Sequence, residues 1–103
     1  MIPEPLLEEA AHRFALLGDP TRLRLLIRLH KAGEVAVGDL AERAGIGREN
    51  ASQHLSRLAA AGLVTRRRQA TSVLYRLADE TLEDICGLVC DGVRRRAAVL
   101  AAQ

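Results

Sequence analysis

The stretch Val37–Leu63 constrains this chain more than any other, because its punctuation leaves room for two short helices and a tight turn. Leu40 and Ala41 fall on one face of the first helix and Ala44 closes it. Gly45 follows, a residue that takes the left-handed conformation at little cost, and Ile46 points back into the core. In the second helix Ala51, Leu55 and Leu58 are spaced by four and three residues, which makes a narrow apolar stripe. The opposite face carries Arg48, Asn50, Ser52, Gln53, Ser56 and Arg57, donors and acceptors suited to phosphates and base edges. The spacing predicts a helix-turn-helix whose second helix enters a DNA major groove. Every solvated helix has a polar face, however, so the flanks must decide.

The downstream flank favours DNA. Gly62 ends the second helix, and two β-prone runs follow, Leu63–Gln69 and Ser72–Leu77, joined by Ala70-Thr71. This is the pattern of a hairpin. Its first strand holds Arg66, Arg67 and Arg68, placed to run along a sugar-phosphate backbone or reach into a minor groove. From Arg43 to Arg76 there are seven arginines against one acid, Glu49, whereas Leu77–Val93 holds Asp79, Glu80, Glu83, Asp84 and Asp91 and no base. One part of the surface is therefore built for a polyanion although the net charge is only +2.

Upstream, Leu6, Leu7, Ala10, Ala11, Phe14 and Leu17 recur at helical spacing, and Gly18 ends that helix. Asp19 as N-cap with Pro20 at the first helical position starts a second, which runs to about Lys31 and is expected to bury Leu23, Leu26, Ile27 and His30 or its neighbours. Gly33 stops it, and Glu34-Val35-Ala36 suits a small edge strand. Asp79 opens a last helix, with Glu80, Glu83 and Asp84 in its first turns and an apolar set of Leu82, Ile85, Cys86, Val89, Val93, Ala97 and Leu100, ending near Ala101. The expected architecture is one domain over residues 1–103, mainly α with a small β-hairpin, in the order α-α-(β)-α-α-β-β-α: a winged helix-turn-helix. The first and last helices carry more apolar surface than a small monomer covers, which points to a homodimer paired through them. Two recognition helices would then lie about one DNA turn apart on a palindromic operator.

Phe14 and Tyr75 are the only aromatic residues, which disfavours single-stranded nucleic acid or RNA read by stacking. No apolar run is long enough for a membrane span and no signal-peptide layout opens the chain, so a cytoplasmic protein is expected. Nothing suggests an enzyme: there is no nucleophile–base set and no carboxylate pair in a plausible cleft.

The chain resembles the ArsR/SmtB family of winged-helix repressors. The resemblance is carried by Phe14–Leu26 with its Asp19-Pro20-Thr21-Arg22 entry, by Val37–Ala41, by Ser52–Val64 and by Val73–Leu77. It implies a homodimer that binds a two-fold operator and leaves it when an inducer binds. Gly47 stands where the family commonly has Ser or Thr capping the recognition helix, a small loss because Gly is a usable cap. The family's sensor sites are missing. Glu34-Val-Ala-Val-Gly-Asp-Leu replaces the Cys-x-Cys stretch, and of the zinc-type set only Asp79 matches, with Thr81, Gly92 and Arg95 at the other positions.

Two thiols remain, Cys86 and Cys90, four apart on the last helix. One reading makes them, with His12 and Glu8 of the first helix, a soft- or transition-metal or redox sensor at the dimer interface. The other makes them small buried residues, with no cofactor at all. The residues do not decide between these, nor between a metal and a small-molecule effector. For the recognition helix, Asn50 and Gln53 have the amide geometry for adenine, and Arg57 or Arg48 could read guanine or a phosphate. His54 lies beside the apolar stripe and is expected to pack. The alternative to an operator-binding regulator is a winged-helix dimerisation or protein-interaction module, which has no need of three arginines in its wing.

Overall fold

The structure, a computed structural model, describes residues 2–79 and 81–102; Glu80, expected in the first turn of the last helix, lies outside them. Among the described residues five helices and three strands follow in the expected order: α1 (Glu4–Leu17), α2 (Pro20–Ala32), β1 (Glu34–Ala36), α3 (Val37–Ala44), α4 (Arg48–Ala60), β2 (Val64–Gln69), β3 (Ser72–Leu77) and α5 (Thr81–Ala101).

The start of α2 sets the junction with α1. Asp19 accepts a hydrogen bond from the Arg22 backbone N–H at 2.9 Å, satisfying one of the free donors of the first turn, and Pro20 supplies a ready-made φ. That N–H holds the Asp19 carboxyl below its ordinary value, aided by the Arg22 and His54 charges. The Arg22 side chain reaches back and donates from Nε to the Leu16 carbonyl at 2.9 Å, tying the end of α1 to the start of α2.

The buried face of α2 differs from the expectation. Leu26 is buried as expected, and so is Leu29 beside His30, but Leu25 joins them while Leu23 is half-buried and Ile27 and His30 are exposed. The cause lies in the sequence itself: leucine or isoleucine stands at 23, 25, 26, 27 and 29, so two helical faces are apolar and periodicity cannot choose between them. Packing chooses. α2 lies against α1, α3, α4, β1 and β3, and the face that meets most of them is the Leu25–Leu29 face, both residues having no exposed surface.

β2 and β3 form the hairpin, with Val64 opposite Leu77 and Gln69 opposite Ser72, and β1 pairs antiparallel with β3, giving the strand order β1-β3-β2. Because side chains alternate across a sheet, Val35, Val64 and Tyr75 share the inner face and join the core. The Leu63 carbonyl accepts from the Ala78 N–H and closes the base of the hairpin.

On α1 and α5 most apolar residues are uncovered. Leu16 is buried on α1 and Leu82 on α5; Leu6, Leu7, Phe14, Leu88, Val89 and Val93 stand in solvent, Phe14 at 64% exposure. The 21-residue α5 is about 31 Å long at 1.5 Å per residue. The radius of gyration is 15.5 Å, above the roughly 13 Å of a compact chain of this length.

The hairpin turn places Ala70 at φ 55°, the one non-glycine residue among those described with a positive φ. The Cβ of an L-residue there costs about 1–2 kcal/mol, part of which glycine gives back through the entropy of its unfolded state. Ala70→Gly should therefore raise the unfolding free energy by about 0.5–1 kcal/mol in urea titrations. Asp19→Ala should lower the melting temperature at neutral pH, and Asp19→Asn, which keeps an acceptor, should lower it less. Since folding depresses the Asp19 carboxyl, its contribution is present above the ordinary value of 3.8 and disappears as the pH falls through the lower folded value. The gap between wild type and Asp19→Ala should close in that acid range.

Candidate nucleic-acid interface

The turn between α3 and α4 is held by backbone bonds. Gly45 sits at φ 71°, ψ 33°, its N–H donating to the Glu42 carbonyl at 3.1 Å, and the Ile46 N–H donates to the Ala41 carbonyl at 3.0 Å. This left-handed stop caps α3 and turns the chain so that Ile46 packs on the core. The buried residues of α3 are Val37, Leu40, Ala41 and Ala44. Gly47, at φ −67° and ψ 148°, occupies the N-cap of α4 with no side-chain cap bond.

α4 then buries Ala51, Leu55 and Leu58, each with no exposed surface. With 100° per residue, the direction opposite this stripe falls on Glu49, Gln53 and Ser56, with Asn50 and Arg57 on one shoulder and Ser52 on the other. Arg48, Asn50, Gln53, Ser56 and Arg57 are exposed and Ser52 is half-buried. Glu49, not among the residues singled out from sequence, thus stands in the middle of the outward face. The missed signal was positional: Glu49 is four residues before Gln53 on the same line of the helix.

The three wing arginines do not act as one group. Arg66 pairs with Tyr75 and Arg68 with Val73, so both leave the sheet on its inner side, beyond the core. There Arg66 lines a groove with Arg48, Glu49, Ser52, Val37, Val73 and Tyr75, between the start of α4 and the wing. Arg67 leaves on the outer side. It grips Glu34 of β1 in a two-pronged contact across β3, Nε to Oε2 at 2.9 Å and Nη2 to Oε1 at 2.7 Å. The Arg67 hydrogen bonds hold the Glu34 carboxyl below the ordinary range and raise the guanidinium in turn. Next to them Arg76 donates from Nε to Thr65 Oγ1 at 3.3 Å. A run of three arginines in a strand must divide between two faces, and an acid on the neighbouring strand occupies the middle one.

His54 packs as expected. It is half-buried, and its Nδ1 is shielded from solvent with no hydrogen-bond partner among the described residues.

Cys86 and Cys90 are free thiols, both half-buried. Cys86 lines a cleft between α2 and α5 with Leu26, Ile27, His30, Lys31 and Glu83. Burial, and then Cys90, pushes its thiol up, which keeps it protonated at neutral pH and slow as a nucleophile. His30 Nε2 meets Glu83 Oε1 at 3.0 Å across this cleft. His12 is exposed on α1. Among the described residues no three His, Cys, Asp or Glu side chains are grouped to hold a metal, so a single chain does not bring Cys86, Cys90 and His12 together as a ligand set. No helix among the described residues is long and apolar enough to cross a membrane.

A three-stranded sheet packed on a helix-turn-helix, with an arginine-bearing hairpin beside an exposed polar recognition helix, defines a winged helix-turn-helix protein. Known proteins agree. A helix-turn-helix domain family matches residues 17–67. The chain is 38% identical over 84 residues to the nodulation protein NolR of Rhizobium meliloti, covering 82% of this chain and 68% of that one. It is 35% identical over 83 residues to the transcriptional repressor SmtB of Mycobacterium tuberculosis, covering 81% and 61% respectively. Among solved structures it matches the homodimeric winged helix-turn-helix DNA-binding domain of a possible ArsR-family regulator from Mycobacterium bovis. The TM-score is 0.80 at 32% identity, over 90% of this chain and 85% of that one. The chain belongs to the ArsR/SmtB family of winged-helix transcriptional regulators.

The Glu34–Arg67 contact makes a direct prediction. In the Arg67→Ala variant the Glu34 carboxyl should rise towards its ordinary value, with Arg76 still holding it slightly down, read by carbon-detected NMR titration. A Glu34 value that is the same in both proteins would mean the two side chains do not meet in solution.

Proposed function

We propose that this chain is a repressor that binds a palindromic duplex operator as a homodimer in the cytoplasm. The observation that carries the reading is the outward face of α4 from Arg48 to Arg57, polar throughout and exposed except at the half-buried Ser52, with Arg66 set beside its first turn. In this reading α4 enters the major groove, where Gln53 and Asn50 read adenine edges and Arg57 and Arg48 take guanine or flanking phosphates. Ser52 and Ser56 supply short-range hydrogen bonds to the backbone. Arg66 and Arg68 carry the wing's contacts to phosphates or the minor groove, and Arg67 braces the wing through Glu34.

The homodimer follows from the uncovered stripes of α1 and α5, whose apolar side chains stand in solvent in a single chain. The homodimeric relative from Mycobacterium bovis supports the same assembly, and the repressor name of SmtB supports the direction of control. An interaction module without an operator would need neither the bare polar face of α4 nor an arginine beside it.

The test is fluorescence anisotropy on a duplex from the protein's own promoter, across salt. Affinity should fall on the order of a thousandfold between about 50 mM and about 200 mM salt if about six phosphates are contacted per dimer. Arg66→Ala should reduce the log–log slope by about 2, one contact from each subunit. Arg67→Ala should leave the slope nearly unchanged, because its charge is spent on Glu34. Salt-independent or absent duplex binding would favour the interaction module; equal slopes in the two variants would refute the division of the wing.

A further inference from the structure

We infer that Glu49 is a specificity-determining residue, which accepts a hydrogen bond from the exocyclic amine of a cytosine in each half-site and weakens binding to all other duplex. The inference rests on the DNA-binding reading above and goes beyond it. Glu49 is the one acid between Arg43 and Arg76, and the fold places it in the centre of the outward face of α4, one turn ahead of Gln53. It is exposed, and it shares a groove with Arg48 and Arg66, yet its carboxylate takes part in no ion pair or hydrogen bond among the described residues. Its charge is therefore available to whatever fills the groove in front of α4.

A carboxylate in the first turn of a helix is favourable against the helix dipole, and with Gly47 giving no side-chain cap this accounts for an acid near the N-terminus. It does not account for an acid on the line that faces DNA. Against a phosphate backbone a carboxylate can only repel, because it has no proton to donate at neutral pH. Against base edges it has complementary partners, the amino groups in the major groove, and cytosine N4 is the one without an acceptor on the major-groove edge of the same base. A residue that penalises phosphates and rewards one base edge raises the ratio of specific to non-specific affinity, at the expense of absolute affinity. The arginines on either side, Arg48 and Arg66, supply the general attraction that this penalty is set against.

The experiment is selection of binding sites from a randomised duplex library by the full chain, as wild type, Glu49→Ala and Glu49→Gln. Wild type should select a palindrome with cytosine fixed at one position in each half-site. Glu49→Ala should lose preference there by about tenfold, keep the other positions, and bind a scrambled duplex several-fold more tightly. Glu49→Gln, which removes the charge while keeping shape and helix, should move that one preference towards adenine. Circular dichroism of both variants shows that the helix is intact. Unchanged base preferences in both variants, with wild type selecting a clear palindrome, overturn the inference and leave the operator reading standing. Failure of the wild type to select any sequence overturns the operator reading itself.

Discussion

The contact on which the rest of this structure depends is the burial of the Leu25–Leu29 face of α2. This helix touches α1, α3, α4, β1 and β3, so every element of the reading head is positioned relative to it. Leu25, Leu29, Leu40, Leu55 and Leu58 have no exposed surface and belong to one cluster with Val35, Val64 and Tyr75. A fully buried leucine contributes about 2–3 kcal/mol by transfer alone, and replacing one by alanine typically costs about 2–5 kcal/mol. Tyr75 is the one aromatic residue in that cluster among the described residues, and the rest of the core is aliphatic. The direction in which α4 points is thus a consequence of how two leucine-bearing helices share one small volume.

Legibility in the sequence varied with how much each pattern over-determines its own orientation. α4 was readable because only Ala51, Leu55 and Leu58 could face inwards, and the turn before it because Gly45 takes a conformation that other residues avoid. The N-cap at Asp19 was readable because side-chain capping is local chemistry. α2 was not, since an apolar residue at five of seven consecutive positions leaves its rotation to its neighbours. The wing was half-readable. The strands and their two-residue turn were plain, but the pairing of β1 with β3 brings Glu34 up to Arg67, a contact between residues 33 apart that no local pattern encodes. Glu49 was counted from sequence only as an exception to a basic stretch; its meaning depends on the rotation of α4.

The arginines are divided between the two sides of the sheet. The wing and the shoulders of α4 carry arginines on the inner side of the sheet, while the outer side holds Arg67 and Arg76 against Glu34 and Thr65. Exposed ion pairs of this kind add little to stability, so the role of the Glu34–Arg67 contact is orientation. It fixes a long side chain across three strands, on the outer side of a hairpin whose inner side is held by Val64 and Tyr75 and whose base closes where Ala78 meets Leu63.

The reading head and the outer helices differ in how they are held. α3, α4 and the sheet are locked to α2 by a closed aliphatic cluster, whereas α5 meets that body through Leu82, Cys86 and the half-exposed His30–Glu83 contact. In the proposed dimer the distance between two recognition helices is set by α1 and α5 and their partners, not by the core of either head. Since two half-sites are read together only at a spacing of about one helical turn, a small change of angle at these outer helices alters operator affinity without disturbing any residue of α4. In the proposed dimer the spacing of the two recognition helices and the contacts of α4 are thus set by different elements of the fold.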